Sequence, residues 1–133
     1  MRGGAMISRG DDISDLIGET LTEVSGAERR SETITFRCAS GRRFVLRHDY
    51  SCCERVSVED VTGDVADLIG CPIVMAEIVE NDSDPPPTPV EYGRYTWSFV
   101  KLATARGYVT IRWYGESNGY YCETPLFERC GDR

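Results

Sequence analysis

Two short stretches of this 133-residue chain gather the side chains that do chemistry. The first is Arg47-His48-Asp49-Tyr50, followed at a short distance by Glu54, and it supplies a guanidinium, an imidazole, two carboxylates and a phenol. The second runs from Arg112 through Trp113, Tyr114, Glu116, Ser117 and Asn118 to Tyr120 and Tyr121, and it supplies stacking faces, a hydroxyl and an amide. Recognition of a nucleotide-like molecule uses this palette, because aromatic faces stack on bases while Asn and Arg read edges and phosphates. The candidate ligand-binding residues are therefore Arg47, His48, Asp49, Arg112, Trp113, Ser117, Asn118, Tyr120 and Tyr121. A plainer reading stands beside this one. Asn118-Gly119 is a strong type I′ turn pair, and tyrosines flanking it are ordinary strand residues. His48, the only histidine, would be a proton shuttle in an enzyme, or with Asp49 a hydrogen-bonded structural residue.

Catalysis ranks behind binding, because no G-x-S-x-G, P-loop or H-E-x-x-H pattern sets a nucleophile and a base at motif spacing. A metal site ranks lower still. His48, Cys52 and Cys53 stand close, but adjacent cysteines rarely ligate one tetrahedral ion, and no second C-x₂-C or H-x₃-H pair follows. Neither metal nor cofactor is expected. The six cysteines, Cys38, Cys52, Cys53, Cys71, Cys122 and Cys130, read as reduced thiols, and Cys38 in a strand-like run reads as a small buried hydrophobe.

Charge and length narrow the remaining classes. A net charge of −7 argues against direct nucleic-acid binding, which depends on Lys and Arg neutralising phosphates. No apolar run approaches a bilayer span and the N-terminus lacks an apolar signal core, so a soluble, untargeted single domain with no membrane partner is expected. Lys101 is the only lysine against 14 arginines. That bias fits a GC-rich coding genome, and it also fits bidentate recognition of phosphate or carboxylate by guanidinium forks.

The elements that must position the two stretches emerge from internal self-similarity. Asp12-Ile13-Ser14-Asp15-Leu16-Ile17-Gly18 returns as Asp64-Val65-Ala66-Asp67-Leu68-Ile69-Gly70, identical at five of seven positions. Each copy is followed in order by a β-rich run, then Thr33-Ile34-Thr35-Phe36 or Thr96-Trp97-Ser98-Phe99, a Gly-containing turn, an Arg-bearing strand with Arg47 matching Arg112, and Cys53-Glu54 or Cys122-Glu123. The order suggests two duplicated modules, 12–62 and 64–129, each a short helix plus four strands. Asp12 and Asp64 read as N-caps, with Gly18 and Gly70 in the left-handed position that ends each turn. Period-two alternation directs Phe36, Leu46, Trp97, Phe99 and Ile111 inward. The fold class is therefore mainly β (α+β), a single-domain antiparallel sandwich or partly closed barrel. Residues 1–11 read as a disordered N-terminal segment, 12–129 as the domain and 130–133 as a tail. Within the domain, 81–93 is acidic and Pro-rich, cannot bury apolar area, and reads as an exposed loop.

The motifs H-x₃-C-C-E (His48 to Glu54), D-L-I-G-x-P-I (Asp67 to Ile73), T-W-x-F (Thr96 to Phe99) and R-W-x-G-x-S-N-G-Y-Y (Arg112 to Tyr121) resemble a small uncharacterised domain family encoded mainly by bacteriophages and bacteria. The resemblance covers about residues 14–128; the Pro-rich insert and Cys122, where a serine is expected, depart from it. It implies a phage accessory protein acting in the host bacterial cytoplasm. The leading functional expectation is an anti-defence binding protein that sequesters a nucleotide-derived host signal, such as a cyclic nucleotide or an ADP-ribose derivative, without catalysis. The alternatives are an acidic protein-interaction inhibitor of a host nucleic-acid-binding or defence protein, and a hydrolase or nuclease using His48, Asp49 and Glu54. Homo-oligomerisation is left open.

Overall fold

The computed structural model describes residues 12–48, 54–118 and 123–130. Eight strands form two antiparallel sheets: β1 (Leu21–Ser25), β2 (Thr33–Cys38), β3 (Arg43–Arg47), β4 (Glu54–Thr62), β5 (Met75–Asn81), β6 (Arg94–Thr104), β7 (Gly107–Ser117) and β8 (Leu126–Arg129). One sheet has the order β1-β2-β3-β8 and the other β4-β7-β6-β5, and neither closes into a barrel. One apolar cluster draws on both, with Ile34, Phe36, Phe44, Leu46 and Phe127 from the first meeting Val56, Val58, Val100, Leu102, Val109, Ile111 and Trp113 from the second. No helix among the described residues is long and apolar enough to cross a membrane.

Local chemistry at the two similar heptapeptides follows the sequence closely. Asp12 accepts the Ser14 amide at 3.0 Å and Asp64 accepts the Ala66 amide at 3.0 Å, each capping a four-residue turn. Gly18 and Gly70 follow with φ of 92° and 89°, a region costly to side chains with a Cβ. Both turns are 3-10, not α, since four residues complete only one tight turn. The chain just after each turn is tied to the chain just after the other, the Gly18 amide donating to the Ile73 carbonyl at 2.8 Å and the Gly70 amide to the Leu21 carbonyl at 3.0 Å.

Two expectations are corrected. The blocks 12–62 and 64–129 are not self-contained helix-plus-strand modules: β4 leaves the first half to pair with β7, and β8 returns from the second to pair with β3. The unpaired edge of each three-strand meander is therefore closed by a strand from the other half, so the two halves are stabilised only together. The face of β6 also differs from the alternation read around Trp97. Ser98, Val100 and Leu102 are the buried inward residues, and period two then forces Trp97 and Phe99 onto the opposite face. The longer apolar run decides the phase. Phe99 is only half-buried there, whereas Phe36 is fully buried between the sheets. Phe36→Ala should cost about 3–5 kcal/mol and Phe99→Ala about 1 kcal/mol, a contrast that urea unfolding midpoints will read directly.

Candidate functional site

The outer face of the β4-β7-β6-β5 sheet carries an unusual load for a surface. Cross-strand pairing sets Tyr114 of β7 between Ser57 of β4 and Trp97 of β6, and Glu116 between Arg55 and Tyr95. Trp97 and Tyr114 meet at 5.0 Å between ring centroids and 60° between planes, and Tyr95 lies 6.0 Å from Tyr114. Arg112, on the diagonal, stacks its guanidinium 4.7 Å from the Trp97 ring centre, an arrangement favoured by the ring quadrupole. Aromatic surface of this size is not left in water. Trp97 is 5% exposed and Tyr114 3% exposed because residues 82–93 fold back over them.

That segment is the Pro-rich stretch, and it is pinned through its backbone while most of its side chains stay exposed. The Asn81 side-chain oxygen accepts the amides of Ser83 and Asp84 at 2.7 and 3.0 Å and turns the chain out of β5. The Tyr95 hydroxyl then donates to the Asp84 carbonyl at 2.8 Å, and the Trp97 indole N–H to the Pro85 carbonyl at 3.1 Å. Prolines suit this role, since they lack the N–H a sheet would need and leave carbonyls free to accept. At the far end the Glu91 amide donates to the Glu116 carboxylate at 3.0 Å.

Glu116 is wholly buried and anchors the arrangement. Burial alone would raise its carboxyl, but the Tyr114 hydroxyl at 2.7 Å, the Glu91 amide and the Arg55 guanidinium at 3.1 Å together hold it below the ordinary carboxylate value. The same contact, with burial the larger cause, pushes the Tyr114 phenol well up and keeps it a donor.

Beside this anchor a groove of about 220 Å³ opens between the Pro87-Thr88 stretch and the turn that joins β1 to β2. Three arginines, Arg29, Arg30 and Arg55, line it with Glu59, over a floor that includes Ser57, Val58 and Tyr114. The turn is brought there by two backbone bonds at the β4 bulge, Arg30 N–H to the Val58 carbonyl at 2.7 Å and Val58 N–H to the Ser31 carbonyl at 2.8 Å. Arg29 is paired with Glu59 at 3.5 Å, and Arg55 reaches Glu91 at 4.0 Å as well as Glu116. Arg30 has no ion-pair partner among the described residues, and it is their one non-glycine residue with positive φ, 74°. Backbone strain of this kind is tolerated where the surroundings over-determine it and collects at functional positions.

The residues singled out in the sequence are divided among several places. Arg47 ends β3 and meets Glu128 at 3.3 Å. His48 follows it inward and lies 3.1 Å from Glu54, both side chains nearly solvent-free. Ser117 is buried at the same end of the sandwich and donates to Glu123 at 3.0 Å, which also accepts from Thr96 at 2.8 Å. These polar groups close the end of the core. Asn118 is exposed just past β7, Arg112 faces the other side of the sheet, and Trp113 is fully buried in the core. Asp49, Tyr120 and Tyr121 lie outside the described residues, as do Cys52, Cys53 and Cys122. Cys38, Cys71 and Cys130 are free thiols. Among the described residues no group of three His, Cys, Asp or Glu side chains could hold a metal ion. The groove residues Arg29, Arg30 and Arg55 were missed, though the adjacent Arg29-Arg30 pair and the Arg-for-Lys bias were visible signals.

A family model described as a domain of unknown function, DUF7448, matches residues 14–127. No curated protein and no solved structure matches the chain.

Proposed function

The chain belongs to the DUF7448 family, and we propose that it is a non-catalytic binding protein that holds a small, anionic, nucleotide-derived molecule in the groove beside Arg30. In this reading it acts as a phage accessory protein in the host cytoplasm, removing a host signal by sequestration. The observation that carries the reading is the convergence of Arg29, Arg30 and Arg55 on one groove in a chain of net charge −7. Guanidinium forks present paired N–H donors that match the oxygens of a phosphate, and hydroxyls of Ser57 and Thr88 line the same groove.

Arg30→Gly separates binding from stability. Glycine adopts positive φ without the roughly 1–2 kcal/mol that a Cβ incurs, which offsets its larger unfolded-state entropy of about 0.5–1 kcal/mol. The melting temperature should therefore hold or rise, while loss of a charged hydrogen-bonding partner weakens ligand binding by about 1.5–3 kcal/mol. Calorimetric titration of both proteins with a nucleotide panel measures it. Equal affinity in the two would remove the groove from consideration, and release of a chemically altered ligand after heat denaturation would replace sequestration with catalysis.

A second reading, inhibition of a basic host protein, is favoured by the exposed carboxylates of Glu77 and Glu80 on the β5 edge and of Asp82, Asp84 and Glu91 on the covering segment. Charge reversal at these five positions with retained function against the host would eliminate it.

A further inference from the structure

Resting on the reading that the groove is the binding site, we infer that its ligand is a phosphodiester, carrying one negative charge per phosphate, and that the groove grips the sugar-phosphate unit and leaves the base outside. The charge balance supports the first part. Three guanidinium groups stand against three carboxylates, since Arg29 is held by Glu59 at 3.5 Å and Arg55 by Glu116 at 3.1 Å with Glu91 at 4.0 Å. Of these three, Arg30 alone has no ion-pair partner among the described residues. One guanidinium matches the two non-bridging oxygens of a diester through two parallel N–H donors. A monoester, a pyrophosphate or a triphosphate would bring a second charge among Glu59, Glu91 and Glu116 with no free cation to meet it, and like charges at this range repel.

The dimensions support the second part. A groove of about 220 Å³ is smaller than the roughly 300–1,000 Å³ of pockets that enclose a drug-sized ligand. It accommodates a phosphate and a sugar, with Ser57 and Thr88 of the lining placed to meet sugar oxygens and Pro87 to flank the ring. Tyr114 contributes little to base stacking, because its ring is 3% exposed and its hydroxyl is bound to Glu116. Selectivity then lies in the linkage and not in the base.

The test is titration of the intact chain with 3′,5′-cyclic AMP, 3′,5′-cyclic GMP, 5′-AMP, ADP-ribose and a short oligothymidylate at low salt. The cyclic nucleotides should bind alike, at least about tenfold tighter than 5′-AMP or ADP-ribose, and Arg30→Gly should remove that advantage. Arg37→Ala, which disturbs only an exposed pair with Glu23 on the other sheet, should change nothing. Stronger, Arg30-dependent binding of the oligothymidylate would keep the diester and assign it to a nucleic-acid strand. Equal or tighter Arg30-dependent binding of 5′-AMP or ADP-ribose would leave the groove standing and overturn the diester. A difference of about tenfold between cyclic AMP and cyclic GMP would overturn the exclusion of the base. Absence of Arg30-dependent binding by any probe would overturn the groove itself.

Discussion

Gly115→Ala should remove a large fraction of the chain's stability at neutral pH. Gly115 lies mid-sheet on β7, opposite Val56 of β4 on one side and Thr96 of β6 on the other, so its backbone cannot shift without breaking two ladders. The segment carrying Glu123 crosses directly over it. A Cβ added at position 115 would fall on the Glu123 backbone carbonyl, which is main chain and not the end of a flexible side chain. Retreat of that segment is opposed by the Glu123 carboxylate, held by Thr96 and Ser117 with Arg94 at 3.6 Å. Overpacking alone costs about 1–3 kcal/mol, and detaching a buried, hydrogen-bonded carboxylate brings the total to about 3–5 kcal/mol. Total stabilities of small domains are about 5–15 kcal/mol, so the urea midpoint should fall by a large fraction or the transition should lose cooperativity. A midpoint equal to that of the unaltered chain would show that the Glu123 segment is not seated on β7.

Glu116→Ala should cost about 2–3 kcal/mol and expose residues 82–93 to proteolysis. Deleting the carboxylate strands the buried Tyr114 hydroxyl and the Glu91 amide, and it removes the nearer of the two carboxylates that Arg55 meets. Breaking a buried pair commonly costs about 3–5 kcal/mol, but Arg55 is 44% exposed and regains water, which lowers the figure. The pH dependence has a definite sign. Because the folded-state pKa of Glu116 lies below its ordinary value near 4.5, its contribution is complete above that value and is lost as pH falls through the folded-state pKa. Acid should therefore destabilise the unaltered chain more steeply below about pH 4.5 than it does Glu116→Gln, whose amide does not titrate. Parallel slopes in the two proteins, or unchanged protection of residues 82–93 in Glu116→Ala, would show that this carboxylate does not hold the segment.

Much of the local structure was legible before any coordinates, because it depends on interactions between near neighbours in the chain. An aspartate two residues before a free amide caps it wherever the pair occurs, and a glycine after the turn accepts positive φ, so Asp12, Asp64, Gly18 and Gly70 behave as read. Alternation identified β2, β3 and β7 with their inward residues, since period two is a property of the strand itself. What required the tertiary structure is everything that joins distant segments. Which meander β4 and β8 complete depends on open edges far away in sequence, and no local preference encodes that choice. The inward phase of β6 was decided by packing of Val100 and Leu102 against the opposite sheet, which turned Trp97 outward, where the Pro-rich segment then covered it. The candidate groove belongs to the same category. Arg29 and Arg30 are separated from Arg55 by two strands, and a β-bulge with two backbone hydrogen bonds brings them together. Side-chain type is local information, but the convergence of these arginines, and of the carboxylates that pair with two of them, is a property of the folded backbone and its nonlocal hydrogen bonds.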